Sequence, residues 1–138
     1  MTTLFDIAQN WLNQDPDAET HAELTALLTA AKNGDEKAQS ELQTRFSGRL
    51  QFGTAGLRGP LQAGPMGMNR VLVAQAAGGL ADYLKDYDKQ PSIVIGYDGR
   101  KNSDVFARDT AEIMAGAGLR HRNELTAVFQ TSHREVFD

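Results

Sequence analysis

The run Ser92-Ile93-Val94-Ile95-Gly96-Tyr97 constrains the fold of this chain more than any other stretch. Three consecutive β-branched residues leave no polar face to turn toward water. Such a run reads as a strand covered on both sides, which is the condition of a parallel sheet. It ends in a polar turn, Asp98-Gly99-Arg100-Lys101. Asn102 or Ser103 then caps a helix that carries Phe106, Thr110, Ile113, Met114 and Ala117, and Gly118 is placed to stop it.

A second segment of the same texture lies upstream. Arg49-Leu50-Gln51-Phe52 alternates polar and apolar residues as a short strand does. It leads into Phe52-Gly53-Thr54-Ala55-Gly56-Leu57-Arg58-Gly59. Glycines let backbone N–H groups approach a ligand closely, and arginine offers a planar fork of donors suited to phosphate. The octapeptide therefore reads as a loop facing an anion, or as a tight turn with one solvated arginine. Pro60 to Asn69 is irregular. Asn69 caps a long helix with Val73, Ala76, Leu80, Leu84 and Tyr87 on its inner side. Gly78-Gly79 costs that helix about 1 kcal/mol per glycine relative to alanine, so the pair marks a close backbone approach or a kink. Strand–helix–strand–helix order after residue 49 implies an α/β layer. In such sheets the turns after strands carry ligands, which brings Gly53–Gly59 and Asp98–Lys101 to one edge.

The first third is helical. Leu4, Ile7, Ala8, Trp11 and Leu12 recur at helical spacing. Asp15-Pro16 supplies a cap and a first-turn proline for a second helix with Leu24, Leu27, Leu28 and Ala31. Asn33-Gly34 stops it, and Asp35 caps a third with Ala38, Leu42 and Phe46. These faces are packing surface, an arm laid against a larger body, and His21 among them is solvated.

A chain of 138 residues has room for one domain, or for one domain plus a helical extension. Net charge is −4 with lysine and arginine scattered, so there is no basic stripe for nucleic acid. No apolar run approaches the ~20 residues of a membrane span. The absence of cysteine excludes thiolate metal sites and suits a cytoplasmic location. No other residues form a metal cluster. The expected partner is a small molecule or another protein.

Phe52–Gly59, Met68-Asn69-Arg70 and Ile95-Gly96-Tyr97-Asp98-Gly99-Arg100-Lys101-Asn102-Ser103 occur in the order found in the first domain of the α-D-phosphohexomutases, which this chain resembles from about residue 4 to Arg120. The leader, with Trp11-Leu12-Asn13-Gln14-Asp15-Pro16-Asp17, is similar to the phosphoglucomutase-2 and phosphopentomutase-like branch. The resemblance implies an incomplete mixed or parallel sheet layered with helices. The expected organisation is a helical extension over residues 1–47, a partial α/β domain over 48–120 and a non-matching tail over 121–138. It also implies intramolecular phosphoryl transfer between positions 1 and 6, or 1 and 5, of a sugar phosphate through a phosphoserine. In the full-length family a Mg²⁺ and a sugar bisphosphate activator take part, and neither is held by residues of this chain. Arg58 matches the arginine beside the phosphoserine, with Gly53, Thr54 and Gly56 shaping its loop. Asp98 and Arg100 match a turn at the active-site edge, where they serve as an ion pair or as ligand contacts.

The pattern departs after Arg120. His121-Arg122-Asn123-Glu124-Leu125-Thr126 breaks the apolar strand expected there. Thr131-Ser132-His133 echoes the family's Ser-His pair, but no strand and crossover helix fit before it, so Ser132 is not assigned as nucleophile. The expectation is a first-domain fragment without turnover of its own. The alternatives are a sugar-phosphate-binding or regulatory module and a small phosphotransferase using Ser132. A sheet of two or three strands leaves an open edge, which predicts self-association. Hexose and pentose phosphates are not distinguished.

Overall fold

The computed structural model describes residues 2–53, 57–87, 89 and 91–123. Its elements are helices α1 (Leu4–Gln14), α2 (Ala18–Lys32), α3 (Glu36–Arg45) and α4 (Arg70–Tyr87), strand β1 (Ser92–Ile95), helix α5 (Ser103–Gly116) and strand β2 (Arg120–Asn123). The described residues are thus mostly helical, with one parallel strand pair. The chain divides into two compact units. One holds residues 1–50 and 59–72, the other 51–58 and 73–138.

In the first unit, α2 packs against α1 and α3. Thr3 and Asp6 form a capping box: Asp6 N–H donates to Thr3 Oγ1 and Thr3 N–H to Asp6 Oδ2, each at 3.2 Å. Ala8, Trp11, Leu12, Leu24, Leu28 and Leu42 are buried, and the Trp11 and Phe46 rings meet edge to face at 5.9 Å. Ile7, expected on that inner face, is 43% exposed. The second helix starts later than its proline implied. Asp17 is the cap, accepting from Glu19 N–H at 2.8 Å. Asp15 instead accepts from Asp17 N–H at 2.9 Å and from the Thr20 hydroxyl at 2.6 Å, so its carboxylate braces the turn before the helix. The stop and cap expected at Gly34 and Asp35 are present. Gly34 has φ +93°, and Asp35 Oδ1 accepts from Lys37 and Ala38 N–H.

Residues 59–69 complete this unit without regular structure, apart from a bridge between Leu61 and Met68. They are organised by Asn69, which is 2% exposed. Its Nδ2 donates to the carbonyls of Gln62 (2.8 Å), Gly64 (2.8 Å) and Gly67 (3.2 Å). Its Oδ1 accepts from Leu72 N–H at 2.9 Å and so caps α4. Gly67 is required there, because a Cβ would stand 2.6 Å from the Gln62 carbonyl oxygen.

The second unit is built around a βαβ crossover. Strands β1 and β2 run parallel, in register from Ser92 with Arg120 to Ile95 with Asn123, and α5 connects them. Ile93 and Ile95 lie in a core with Ala77, Ala81, Ala107, Met114 and Leu119. The buried β-branched strand therefore stands as expected. Three other expectations are corrected. Arg49–Phe52 is not a strand: Leu50 N–H donates to the Pro65 carbonyl at 2.8 Å, and Phe52 is 57% exposed. Residues 121–123, expected to break the strand pattern, belong to β2. A parallel ladder is made by backbone groups. Once Gly118 (φ +89°) and buried Leu119 have turned the chain back beside β1, the pairing does not depend on apolar side chains. The close approach expected at Gly78-Gly79 is absent among the described residues: nothing lies within 4 Å of a Cβ at either, and α4 is one continuous helix.

Candidate functional site

A carboxylate braces the turn after β1. Asp98 Oδ1 accepts from Arg100 N–H, two residues on, at 3.1 Å, and from the Ser103 hydroxyl at 2.7 Å. This is the local self-bonding that makes aspartate a turn residue. It also spares Asn102 its expected role. Asn102 stands at the N-cap of α5 with φ +68° and no side-chain cap bond, a left-handed conformation that asparagine tolerates. Ser103, 1% exposed, faces Asp98. Arg100 Nε lies 3.6 Å from Asp98 Oδ2, and its side chain is 41% exposed. A single 3.6 Å contact to a guanidinium that reaches solvent is weak beside the shorter backbone and hydroxyl bonds to Oδ1.

The glycine–arginine loop is described at Gly53 and from Leu57 onward. Gly53 and Arg58 are exposed, whereas Leu57 is buried at 3%. Leu57 thus faces inward while its neighbour Arg58 reaches solvent. Thr54 and Gly56 lie outside the described residues, as do Ser132 and His133. Asp98, Arg100 and Ser103 are brought together by direct contacts, and Gly53 and Arg58 belong to the same compact unit as that turn. Among the described residues no group of three His, Asp or Glu side chains could hold a metal ion, so no step through Mg²⁺ is derived from them. No helix among them is long and apolar enough to cross a membrane.

Three features escaped the sequence. Ser103 was a candidate cap but serves as the hydroxyl partner of Asp98. Asn69 was legible as a cap, while its three bonds to loop carbonyls were not. Arg45, at the end of α3, has Nη1 2.5 Å from Glu23 Oε1 and Nε 2.9 Å from Glu41 Oε1, with only 11% of its side chain exposed. Burial opposes its charge. The bonds from Glu23 and Glu41 and their Coulombic attraction outweigh that cost and hold its pKa above the ordinary arginine value. The spacing of Arg45 from Glu41 is a helical i, i+4 signal, but its partner 22 residues away leaves no local trace.

The described residues combine helices with one parallel strand pair and a self-bonded polar turn after β1. The family model for the phosphoglucomutase/phosphomannomutase alpha/beta/alpha domain I matches residues 49–127, more than half of the chain. The chain belongs to that family. The match takes in both the glycine–arginine loop and the Asp98 turn. It also takes in β2, whose polar residues had read as divergence.

Among curated relatives, a probable phosphomannomutase of Haemophilus influenzae is 89% identical over 55 residues, 40% of this chain and 11% of that protein. The phosphoribomutase of Saccharomyces cerevisiae is 44% identical over 111 residues, 80% of this chain and 17% of the relative. A phosphoglucomutase of Staphylococcus haemolyticus is 40% identical over 86 residues, 62% of this chain and 16% of the relative. Together with the leader, these names support the phosphoribomutase-like branch of the superfamily. The chain spans less than a fifth of the length of these relatives. No solved structure matches the chain.

Proposed function

We propose that this chain is the N-terminal part of a phosphosugar mutase and supplies the phosphate-loop half of its cleft. The observation that carries this reading is the family match across residues 49–127, which includes both ligand-type turns. In this reading Arg58 holds a phosphoryl group with its exposed guanidinium. Gly53, Thr54 and Gly56 shape the loop, and Asp98 and Arg100 line the active-site edge. Phosphoryl transfer is catalysed mainly by positioning and charge stabilisation, so a chain carrying only this portion binds without turning over. The whole enzyme would add Mg²⁺ and a sugar bisphosphate activator, and it would act in the cytoplasm. The helical extension over 1–47 precedes the domain. The β1–β2 pair belongs to a wider sheet layered with helices, and its open edge self-associates.

Calorimetry of the chain with glucose 1-phosphate and with ribose 1-phosphate tests the reading and separates hexose from pentose preference. Binding of one of them is expected, weakened at least ten-fold in Arg58→Ala. Equal affinity in Arg58→Ala would remove the arginine from the site. A turnover assay with catalytic glucose 1,6-bisphosphate is expected to give no product. Turnover lost in Ser132→Ala would overturn the proposed inactivity and make Ser132 the nucleophile.

A further inference from the structure

Asn33-Gly34 closes helix α2, and of the six asparagines in the chain only Asn33 precedes glycine. Both residues are exposed. The turn they make is a Schellman motif. Gly34 N–H donates to the Ala31 carbonyl at 3.2 Å and Asp35 N–H to the Ala30 carbonyl at 3.1 Å, with Gly34 at φ +93°. Gln39, in the first turn of α3, donates its Nε2 to the same Ala31 carbonyl at 2.9 Å. An asparagine before glycine carries a chemistry of its own. With no Cβ on the following residue, the next backbone nitrogen can reach the side-chain Cγ and close a five-membered imide. A Cβ built on Gly34 would meet nothing within 4 Å, so water reaches this peptide. The turn nevertheless holds Asn33 away from the reactive geometry. Its ψ of 5° puts the Gly34 nitrogen beside the Asn33 nitrogen and not beside Cβ, and the Gly34 N–H is engaged by Ala31.

We propose that Asn33 is a site of spontaneous deamidation, gated by the α2–α3 turn. When the turn opens, hydroxide takes the Gly34 amide proton as its nitrogen attacks Asn33 Cγ. The N–Cγ bond forms, the Cγ–Nδ2 bond breaks, and Nδ2 leaves as ammonia after taking a proton from water, which regenerates the hydroxide. Water then cleaves the succinimide at either carbonyl. Cleavage at Cγ gives aspartate with the main chain intact. Cleavage at the main-chain carbonyl gives isoaspartate, with the chain rerouted through Cβ and Cγ. That added backbone atom puts the Gly34 and Asp35 amides out of register with Ala31 and Ala30 and so loosens α3 from α2. The rate is the open-chain rate multiplied by the fraction of molecules in which the turn is open, since only that state reacts.

The test incubates the full chain, its Gln39→Leu variant and a synthetic peptide of residues 29–37 at mildly alkaline pH. Trypsin, cutting after Lys32 and Lys37, releases residues 33–37 from each. Chromatography with mass spectrometry then separates the asparagine, aspartate and isoaspartate forms. Exchange of the Asp35 amide is read by NMR on the same chains. The wild-type chain is expected to convert at Asn33 about ten-fold slower than the peptide, with the Asp35 amide protected by a similar factor. Gln39→Leu removes one donor from the Ala31 carbonyl at an exposed position, and conversion and Asp35 exchange should rise together by about three-fold. If that variant fails to fold, low urea opens the turn of the wild-type chain instead, and conversion should follow Asp35 exchange along the titration. The purified isoaspartate form should lose amide protection at Ala38 and Leu42, and the aspartate form should keep it. Conversion as fast as in the peptide overturns the gate, as does faster Asp35 exchange with unchanged conversion. No product at Asn33 in either chain once the peptide is spent overturns the site.

Discussion

Two irregular segments of this molecule are held in opposite ways. The turn over residues 98–103 is held from within: Asp98 bonds the backbone two residues ahead and a hydroxyl five residues ahead. The segment over residues 59–69 is held partly by Asn69 at its end and partly by Glu23 and Arg45, whose bonds reach Ala63 across 40 residues of sequence and the Met66 amide. A self-bonded turn costs little ordering entropy and forms wherever its strand and helix form. A segment held from afar is ordered only once the leader has folded, because loop closure must be met before distant contacts can reward it.

The largest effect that would test this contrast is at Asn69. Asn69→Ala removes three donated bonds and one accepted bond at a site only 2% exposed. Leaving several buried backbone groups without partners is expected to cost about 3 kcal/mol or more. Urea denaturation followed by Trp11 fluorescence reads it, since Trp11 lies in the same compact unit. If the segment were self-sufficient, the tryptophan transition would keep its wild-type midpoint while only the α4 cap frayed.

The matching experiment at the other turn should be milder and confined. Asp98→Ala is expected to cost about 1–2 kcal/mol, while Asp98→Asn, which keeps an acceptor at Oδ1, costs less than half as much. Exchange at the Arg100 and Ser103 amides should rise, with the Met114 end of α5 unmoved. Equal losses in the alanine and asparagine variants would show that the charge toward Arg100, rather than the two hydrogen bonds, holds the turn.

The same contrast explains what could be read from the chain. Signals that act within a turn of helix were legible: Gly34 as a stop, Asp35 and Asn69 as caps, Gly118 after α5, and the β-branched run at β1. Signals that depend on a distant partner were not. Glu23 and Arg45 look like ordinary surface charges on α2 and α3, so nothing local announces that they meet or that they hold Ala63 and Met66. Arg49–Phe52 has the alternation of a strand, yet Leu50 bonds to Pro65 instead of to a neighbouring strand. Residues 120–123 lack apolar pattern, yet they pair because the crossover helix delivers them. The family was legible as motifs in order. The hydroxyl partner of Asp98 and the approach of Leu50 to Gly59 were not, since both are matters of three-dimensional approach.

The smallest effect serves as a control that belongs to neither mode of restraint. Gly79, exposed and within α4, has nothing within 4 Å of a Cβ placed on it. Alanine there adds no clash among the described residues and restricts the unfolded chain. Gly79→Ala should therefore raise stability by about 0.5–1 kcal/mol, readable as a shift in urea midpoint at constant slope. The gain comes from intrinsic propensity alone and should leave exchange at both irregular segments unchanged. A loss instead would mean that the glycine pair meets a backbone or ligand at that turn of α4. The helix would then join the 59–69 segment among the elements whose sequence is set by something remote.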